Sequence, residues 1–159
     1  MQARPVSASQ TIMTEMVLPQ HTNAFGNVFG GQVMAWIDIC AAIAAQRHAR
    51  QPVVTASVDA LQFVKPVLRG WTINLRASVN ATHRTSMEIG VRVDAENPLT
   101  GETVHTASAY LTFVALGADG KPAPVPSLLA ETPEQQRRMK AAEIRRKNRL
   151  AQREQIKKG

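Results

Sequence analysis

Asp38 is the lone carboxylate in thirteen consecutive residues, Val33 to Ala45, whose only other ionisable side chain is the Cys40 thiol. Desolvation disfavours a charged carboxylate, so an acid in that setting calls for a partner or a use. The run follows directly on Gly30-Gly31, and glycines opening a helix leave backbone N–H groups bare for an anion or a polarised carbonyl. Upstream lie His21, Asn23 and Asn27, in the order His-Thr-Asn-Ala-Phe-Gly-Asn-Val-Phe-Gly-Gly. A carboxylate that can move a proton and a set of bare amides that can hold an anion or a polarised carbonyl look like chemistry, and the rest of the chain has to decide which. Taken from the residues alone, a buried acid satisfied by a local N–H or an arginine is the favoured account of Asp38.

The elements that must position these groups are legible from periodicity. The pattern predicts a strand over Gln10–Leu18 stopped by Pro19, a loop over 19–31, and a helix from about Gln32 to Arg47. That helix is apolar all round except at Asp38 and is expected to be buried on most faces. After Pro52 the chain predicts strands at Val53–Val64, Trp71–Val79, Met87–Val93 and about Thr103–Leu116, with turns at Asn80–Ser86 and Glu96–Glu102. The order β-α-β-β-β-β gives an α+β class, an antiparallel sheet around one long helix. One sheet wrapped on one helix leaves its other face and edges uncovered, which argues for an oligomer.

Composition narrows the classes. At 159 residues with 44% hydrophobic side chains, the chain reads as one globular domain. Cys40 is alone and fits a buried core thiol in a reducing cytoplasm. The first residues lack the apolar stretch of a signal peptide, and the 33–45 run is too short to span a bilayer. Of the net charge of +7, nearly all lies after residue 130, where ten Lys and Arg face four Glu. Thr132-Pro133-Glu134-Gln135 starts a helix with a capping box. Glu134/Arg138, Glu143/Lys147 and Glu154/Lys158 are spaced for i,i+4 pairs. Met139, Ile144, Leu150 and Ile156 make no clean stripe, so the tail reads as a solvated helix fraying toward Gly159. Aromatics total 4% and none follows Phe113, so the basic tail has no stacking platform and nucleic acid is disfavoured. A membrane partner is disfavoured by the poor apolar face. His48 and His105 have no Cys, His or carboxylate at ligand spacing, so no metal site is indicated. Dinucleotide, P-loop and serine-hydrolase fingerprints are absent.

The 19–38 segment, P-x-H-T-N-x-x-G-N-V-F-G-G before a helix with an internal Asp, resembles the hotdog-fold acyl-CoA thioesterases, specifically the YciA-like bacterial enzymes and brain-type acyl-CoA hydrolases. Matches continue at Thr55-Ala56-Ser57-Val58-Asp59, Phe63-Val64-Lys65-Pro66, Thr85-Ser86-Met87-Glu88-Ile89 and Ala109-Tyr110-Leu111-Thr112-Phe113-Val114. The resemblance covers roughly residues 10 to 127. It implies a hotdog domain over 1–127 and a basic helical tail over 128–159.

It further implies an acyl-CoA thioester hydrolase that needs no cofactor, coenzyme A being part of its substrate. Asp38 would be general base or nucleophile, and Asn23 would complete the site from the opposite subunit of a dimer. Gly30 and Gly31 would polarise the thioester carbonyl. Thr55, Ala56, Ser57 and Val58 would meet the pantetheine, and Arg84, Thr85 and Ser86 the CoA phosphates. Family members often assemble as trimers of dimers. Phe29 stands where some relatives carry His, so proton chemistry falls to Asp38. Asn27 is expected to satisfy loop backbone and His21 to be structural. The rival readings are a hotdog hydratase or dehydratase, which needs a His–Asp pair, and a non-catalytic binder of acyl-CoA or nucleic acid that uses the basic tail.

Overall fold

The β-branched runs become strands and prolines or glycines stop them, as propensity and turn chemistry require. The computed structural model describes residues 1–159. In chain order the elements are β1 (Arg4–Pro5), β2 (Thr11–Met16), α1 (Gly30–Ala49), β3 (Val53–Phe63), β4 (Thr72–Thr82), β5 (Ser86–Glu96), β6 (Thr103–Ala115), β7 (Leu128–Leu129) and α2 (Pro133–Lys158). Five strands make one antiparallel sheet in the order β2-β4-β5-β6-β3, so β2 and β3 are its edges. β1 and β7 form a separate two-residue parallel pair. The sheet wraps α1, as the hotdog expectation requires.

The core lies between α1 and the concave face. Val33, Ile37, Cys40, Ala41, Ala44 and Ala45 of α1 are buried against Ile73 and Leu75 of β4, Met87 and Ile89 of β5 and Leu111 and Phe113 of β6. The small side chains along α1 let it sit close to the sheet. α1 starts two residues earlier than the apolar pattern predicts, at Gly30. It ends where Arg50 takes a left-handed conformation, φ 54°, and donates its N–H to Gln46 O.

Three expectations are corrected. α1 is not buried on most faces: Met34 is 37% and Ile39 51% exposed, because one chain has nothing to cover that side. The hairpin between β4 and β5 is shorter than Asn80–Ser86, with only His83, Arg84 and Thr85 between the strands. A bulge between Val79 and Ala81 breaks the alternation there, which made the strand end look like turn.

The third concerns the basic tail. α2 is helical through Lys158 and lies on the convex face of the sheet rather than standing free in solvent. Arg145 forks onto Glu88 with two contacts of 2.8 Å and stacks 3.6 Å above the Tyr110 ring. Arg149 reaches Asp59 at 3.0 Å, Ala142 is buried and Met139 packs against the core. Of the expected i,i+4 pairs, Glu134–Arg138 forms at 3.0 Å, while Glu143 turns instead to His83 at 3.3 Å. The capping box is present, Thr132 Oγ1 accepting from Gln135 N at 3.1 Å.

Candidate active site

Two turns into α1, Asp38 sits at the border between the helix's buried side and its exposed one. It is half-buried rather than sealed in the core. Its Oδ1 accepts a hydrogen bond of 2.7 Å from Thr55 Oγ1, on edge strand β3. The bond fixes the carboxylate's rotation and leaves Oδ2 unengaged. The sequence singled out both residues but gave no reason to join them. Seventeen residues and a helix-to-strand connection separate the two.

Gly30 and Gly31 form the first turn of α1, behind Phe29 as N-cap with extended backbone. Gln32 and Val33 donate to Phe29 O, whereas the N–H groups of Gly30 and Gly31 make no hydrogen bond within the chain. A Cβ on Gly31 would meet nothing within 4 Å, and one on Gly30 would touch only the Phe63 ring at 3.5 Å. Two unpaired donors thus stand on exposed residues at the positive end of a twenty-residue helix.

Asn23 is held by its own loop. Its Oδ1 accepts from Phe25 N at 2.9 Å and Asn27 N at 3.2 Å, and its N–H donates to Asn27 O at 2.8 Å. That leaves the Nδ2 amide pointing away from the loop's bonds, and it makes none with Asp38. Asn27 engages only through its backbone, and its side chain makes no hydrogen bond within the chain, so the expected side-chain support of the loop backbone is not formed.

His21 is structural: Nδ1 accepts from Leu18 N at 3.0 Å and the ring meets Trp36 edge-on at 5.0 Å between centroids. Within one chain no histidine is hydrogen-bonded to Asp38, whose one side-chain partner is Thr55. Burial pushes the Cys40 thiol up to about 11, which keeps it protonated and inert in the core, against Thr11 O of β2 rather than beside Asp38.

Thr55, Ala56, Ser57 and Val58 lie on β3, whose outer edge has no strand beside it. A register shift falls at Ala56, between the pairs Thr55–Phe113 and Ser57–Thr112. Arg84, exposed, occupies the tip of the β4–β5 hairpin with Thr85, and Ser86 begins β5. Thr55, Phe113 and Met87 occupy one row across β3, β6 and β5. The hairpin tip is thus two strand spacings, about 10 Å, from Thr55. All the residues singled out for coenzyme A fall at one end of the sheet, on the side of Asp38.

Exposed apolar side chains surround this region: Phe25, Phe29, Met34 and Ile39 on the loop and α1, Val54, Phe63 and Val64 on and after β3. A contiguous apolar surface of this kind marks an interaction site. No helix is long and apolar enough to cross a membrane.

A family model described as the Thioesterase superfamily matches residues 25–102. The chain is 42% identical over 127 residues to an uncharacterised acyl-CoA thioester hydrolase, YkhA, of Bacillus subtilis, covering 80% of this chain and 74% of that one. It spans about a third of the length of the rodent cytosolic acyl coenzyme A thioester hydrolases that it also matches. Among solved structures, an apo-hexameric acyl-CoA thioesterase superposes with TM-score 0.92 at 44% identity, over 96% of this chain and 97% of that one. An acyl-CoA hydrolase from Staphylococcus aureus, in complex with butyryl coenzyme A, coenzyme A and coenzyme A disulfide, superposes with TM-score 0.91 at 36% identity, over 98% and 95%. Variants of that hydrolase with one aspartate, one asparagine or one threonine replaced by alanine have also been solved.

Proposed function

The chain belongs to the thioesterase superfamily, and from that premise we propose that it hydrolyses acyl-CoA thioesters to a free acid and coenzyme A. The observation that carries the reading is the Thr55–Asp38 contact of 2.7 Å in a helix whose first two N–H groups are bare. Supporting it, the aspartate, asparagine and threonine replaced in the Staphylococcus hydrolase are spaced 15 and 17 residues apart, as are Asn23, Asp38 and Thr55 here.

In the proposed reaction the Gly30 and Gly31 amides hold the thioester carbonyl and stabilise the oxyanion, about 3 kcal/mol per donor. Asp38 takes a proton from water as the water oxygen bonds the carbonyl carbon. The tetrahedral intermediate collapses, the C–S bond breaks, and the thiolate of coenzyme A recovers the proton from Asp38. Direct attack by Asp38 Oδ2, giving a mixed anhydride that water then opens, uses the same geometry. The pantetheine arm lies along the free edge of β3 at Thr55–Val58, adding backbone hydrogen bonds as an extra strand would. Arg84, with the Thr85 and Ser86 hydroxyls, meets the phosphates. No further cofactor enters the scheme. The proposed compartment is the cytoplasm, where Cys40 remains a thiol.

The site needs a second copy. Gly31 and Asp38 are seven residues apart on one helix, about 10 Å along its axis. A single thioester carbonyl with its attacking water cannot contact both within one chain. A partner whose α1 runs antiparallel brings its Gly30-Gly31 turn and Asn23 to this Asp38, and covers Met34, Ile39 and Phe63. A hexamer built as three such dimers is the assembly proposed, in keeping with the hexameric neighbour.

The test is release of free coenzyme A from acyl-CoA, followed by thiol titration. Asp38→Asn and Asn23→Ala should each reduce turnover by about a thousandfold or more while the oligomer stays intact. Undiminished turnover in Asp38→Asn would overturn the assignment.

A further inference from the structure

On the convex face of the sheet, away from Asp38, three side chains line up in a relay that the thioester chemistry does not use. Ser108 Oγ lies 3.1 Å from His105 Nε2, and His105 Nδ1 lies 3.2 Å from Asp94 Oδ1. A carboxylate only accepts, so Nδ1 carries a proton, and in the neutral ring Nε2 offers its lone pair to the Ser108 hydroxyl. Arg92 Nε donates to both Asp94 oxygens at 3.2 Å and holds the carboxylate in place.

The backbone has been bent to make this possible. Residues three apart on a regular strand point to opposite faces. β6 carries an extra residue, Thr106, between the pairs Val93–Ala107 and Asp94–His105. That bulge turns His105 onto the same face as Ser108 and directly opposite Asp94. In the sequence the three residues look unrelated.

Ser108 opens into a groove of about 640 Å³ between the sheet and α2. Arg76, Arg92, Arg137 and Arg138 line it, with Glu134 held against the last two at 3.3 and 3.0 Å. Arg92 is Ser108's direct neighbour across the strands, and Arg76 is Arg92's. A base-activated hydroxyl in a guanidinium-lined groove suits an electrophile that carries negative charge.

We propose that Asp94, His105 and Ser108 form a second nucleophilic centre, one that hydrolyses small acyl phosphates through an acyl-serine. Ser108 Oγ bonds the acyl carbon as its proton passes to His105 Nε2. The bond from that carbon to the phosphate oxygen breaks, and inorganic phosphate leaves with the electron pair toward the arginines and with the proton from His105. Water then attacks the acyl-serine, giving a proton to His105. The ester bond breaks, Ser108 regains that proton, and the carboxylic acid departs. Asp94 keeps the imidazole in the required tautomer and orientation and is a positioning residue.

The experiment uses the full-length Asp38→Asn protein, in which thioester turnover cannot contribute, with acetyl phosphate as probe. Inorganic phosphate release is followed, and quenched samples are digested to locate acetyl groups by mass. The expected result is release above the uncatalysed rate with acetyl on Ser108. Ser108→Ala should remove both, and His105→Gln should lower phosphate release by about a hundredfold. In an otherwise native chain, Ser108→Ala and His105→Gln should leave acyl-CoA hydrolysis unchanged, which shows that they fold. Three results overturn the proposal: no acetyl on Ser108, phosphate release that survives Ser108→Ala, or phosphate release undiminished in His105→Gln.

Discussion

A carboxylate is useful to a water molecule only when one of its oxygens is aimed, and in this chain Thr55 does the aiming. Its hydroxyl holds Asp38 Oδ1 at 2.7 Å and leaves Oδ2 for the substrate side. Thr55→Val keeps the side chain's shape and removes only that donor. A hydrogen bond to a charged group contributes about 1.5–3 kcal/mol, so kcat should fall roughly 10- to 100-fold with KM little changed. Steady-state kinetics over a range of acyl-CoA concentrations check the split, and a rise in KM alone would mean that Thr55 binds pantetheine rather than orienting Asp38. His48 supplies a second residue-level expectation. It is buried, with Nε2 against Pro126 O at 2.7 Å, and burial pushes its pKa below the ordinary 6.5, with Arg4 adding to the shift. The unfolded chain therefore takes up this proton first. Its contribution to stability is full above about pH 6.5 and is lost as the pH falls below that value toward the folded pKa. Thermal unfolding from pH 7.5 to 5 should show a falling midpoint, and His48→Gln should flatten the slope. Asp38 was legible as a candidate because one charge stood out in an apolar run. Its Thr55 bond was not, because contacts between a helix and a distant strand leave no mark in local periodicity.

At the scale of elements, α2 is fastened by charge rather than by an apolar stripe, which is why its docking could not be read from Met139, Ile144, Leu150 and Ile156. Glu88, itself buried, accepts both prongs of Arg145 and a third hydrogen bond of 3.0 Å from Asn80 Nδ2. The Glu88 carboxylate in turn holds the Arg145 pKa above its ordinary value. Removing one member of such a network strands the other, a loss of about 3 kcal/mol. Glu88→Ala should lower the unfolding midpoint and expose the Arg-rich helix, so limited trypsin should cut near Arg145 and Arg149 faster than in the native chain. The network also explains one glycine. A Cβ on Gly90 would stand 2.7 Å from Asn80 Nδ2, so only glycine lets that amide cross to Glu88. Gly90→Ala should destabilise by about 1–3 kcal/mol, and adding Asn80→Ala should recover part of the loss. Urea unfolding of the two single variants and the double measures it; additive losses would show that the two positions do not meet. Strand periodicity located every long strand of the sheet, and it failed only at bulges, where the backbone inserts a residue that alternation cannot anticipate. The Asp94–His105–Ser108 alignment was hidden by the same irregularity.

In the proposed assembly the molecule is complete only as a dimer. Its order of elements implied a sheet with uncovered edges, and the structure adds where the exposed surface lies: along α1 and β3, around Asp38, with Phe25 86% exposed. Coincidence of the exposed apolar side chains with the carboxylate is what ties the proposed assembly to the proposed catalysis. If Asp38 of one copy works with Asn23 and the Gly30-Gly31 turn of another, two dead variants should rescue each other. In a dimer of one Asn23→Ala chain and one Asp38→Asn chain, one interface pairs the intact Asp38 with the intact Asn23, and the other pairs both defects. Random mixing makes half of the dimers mixed, each with one working site of two, so co-refolded equimolar variants should recover about a quarter of native turnover. If each site were built within a single chain, every site in the mixture would carry one defect and the mixture would stay as inactive as either variant alone. Activity of the co-refolded mixture, measured beside each variant refolded separately, distinguishes these outcomes, and size-exclusion chromatography of the same samples confirms that the subunits have exchanged.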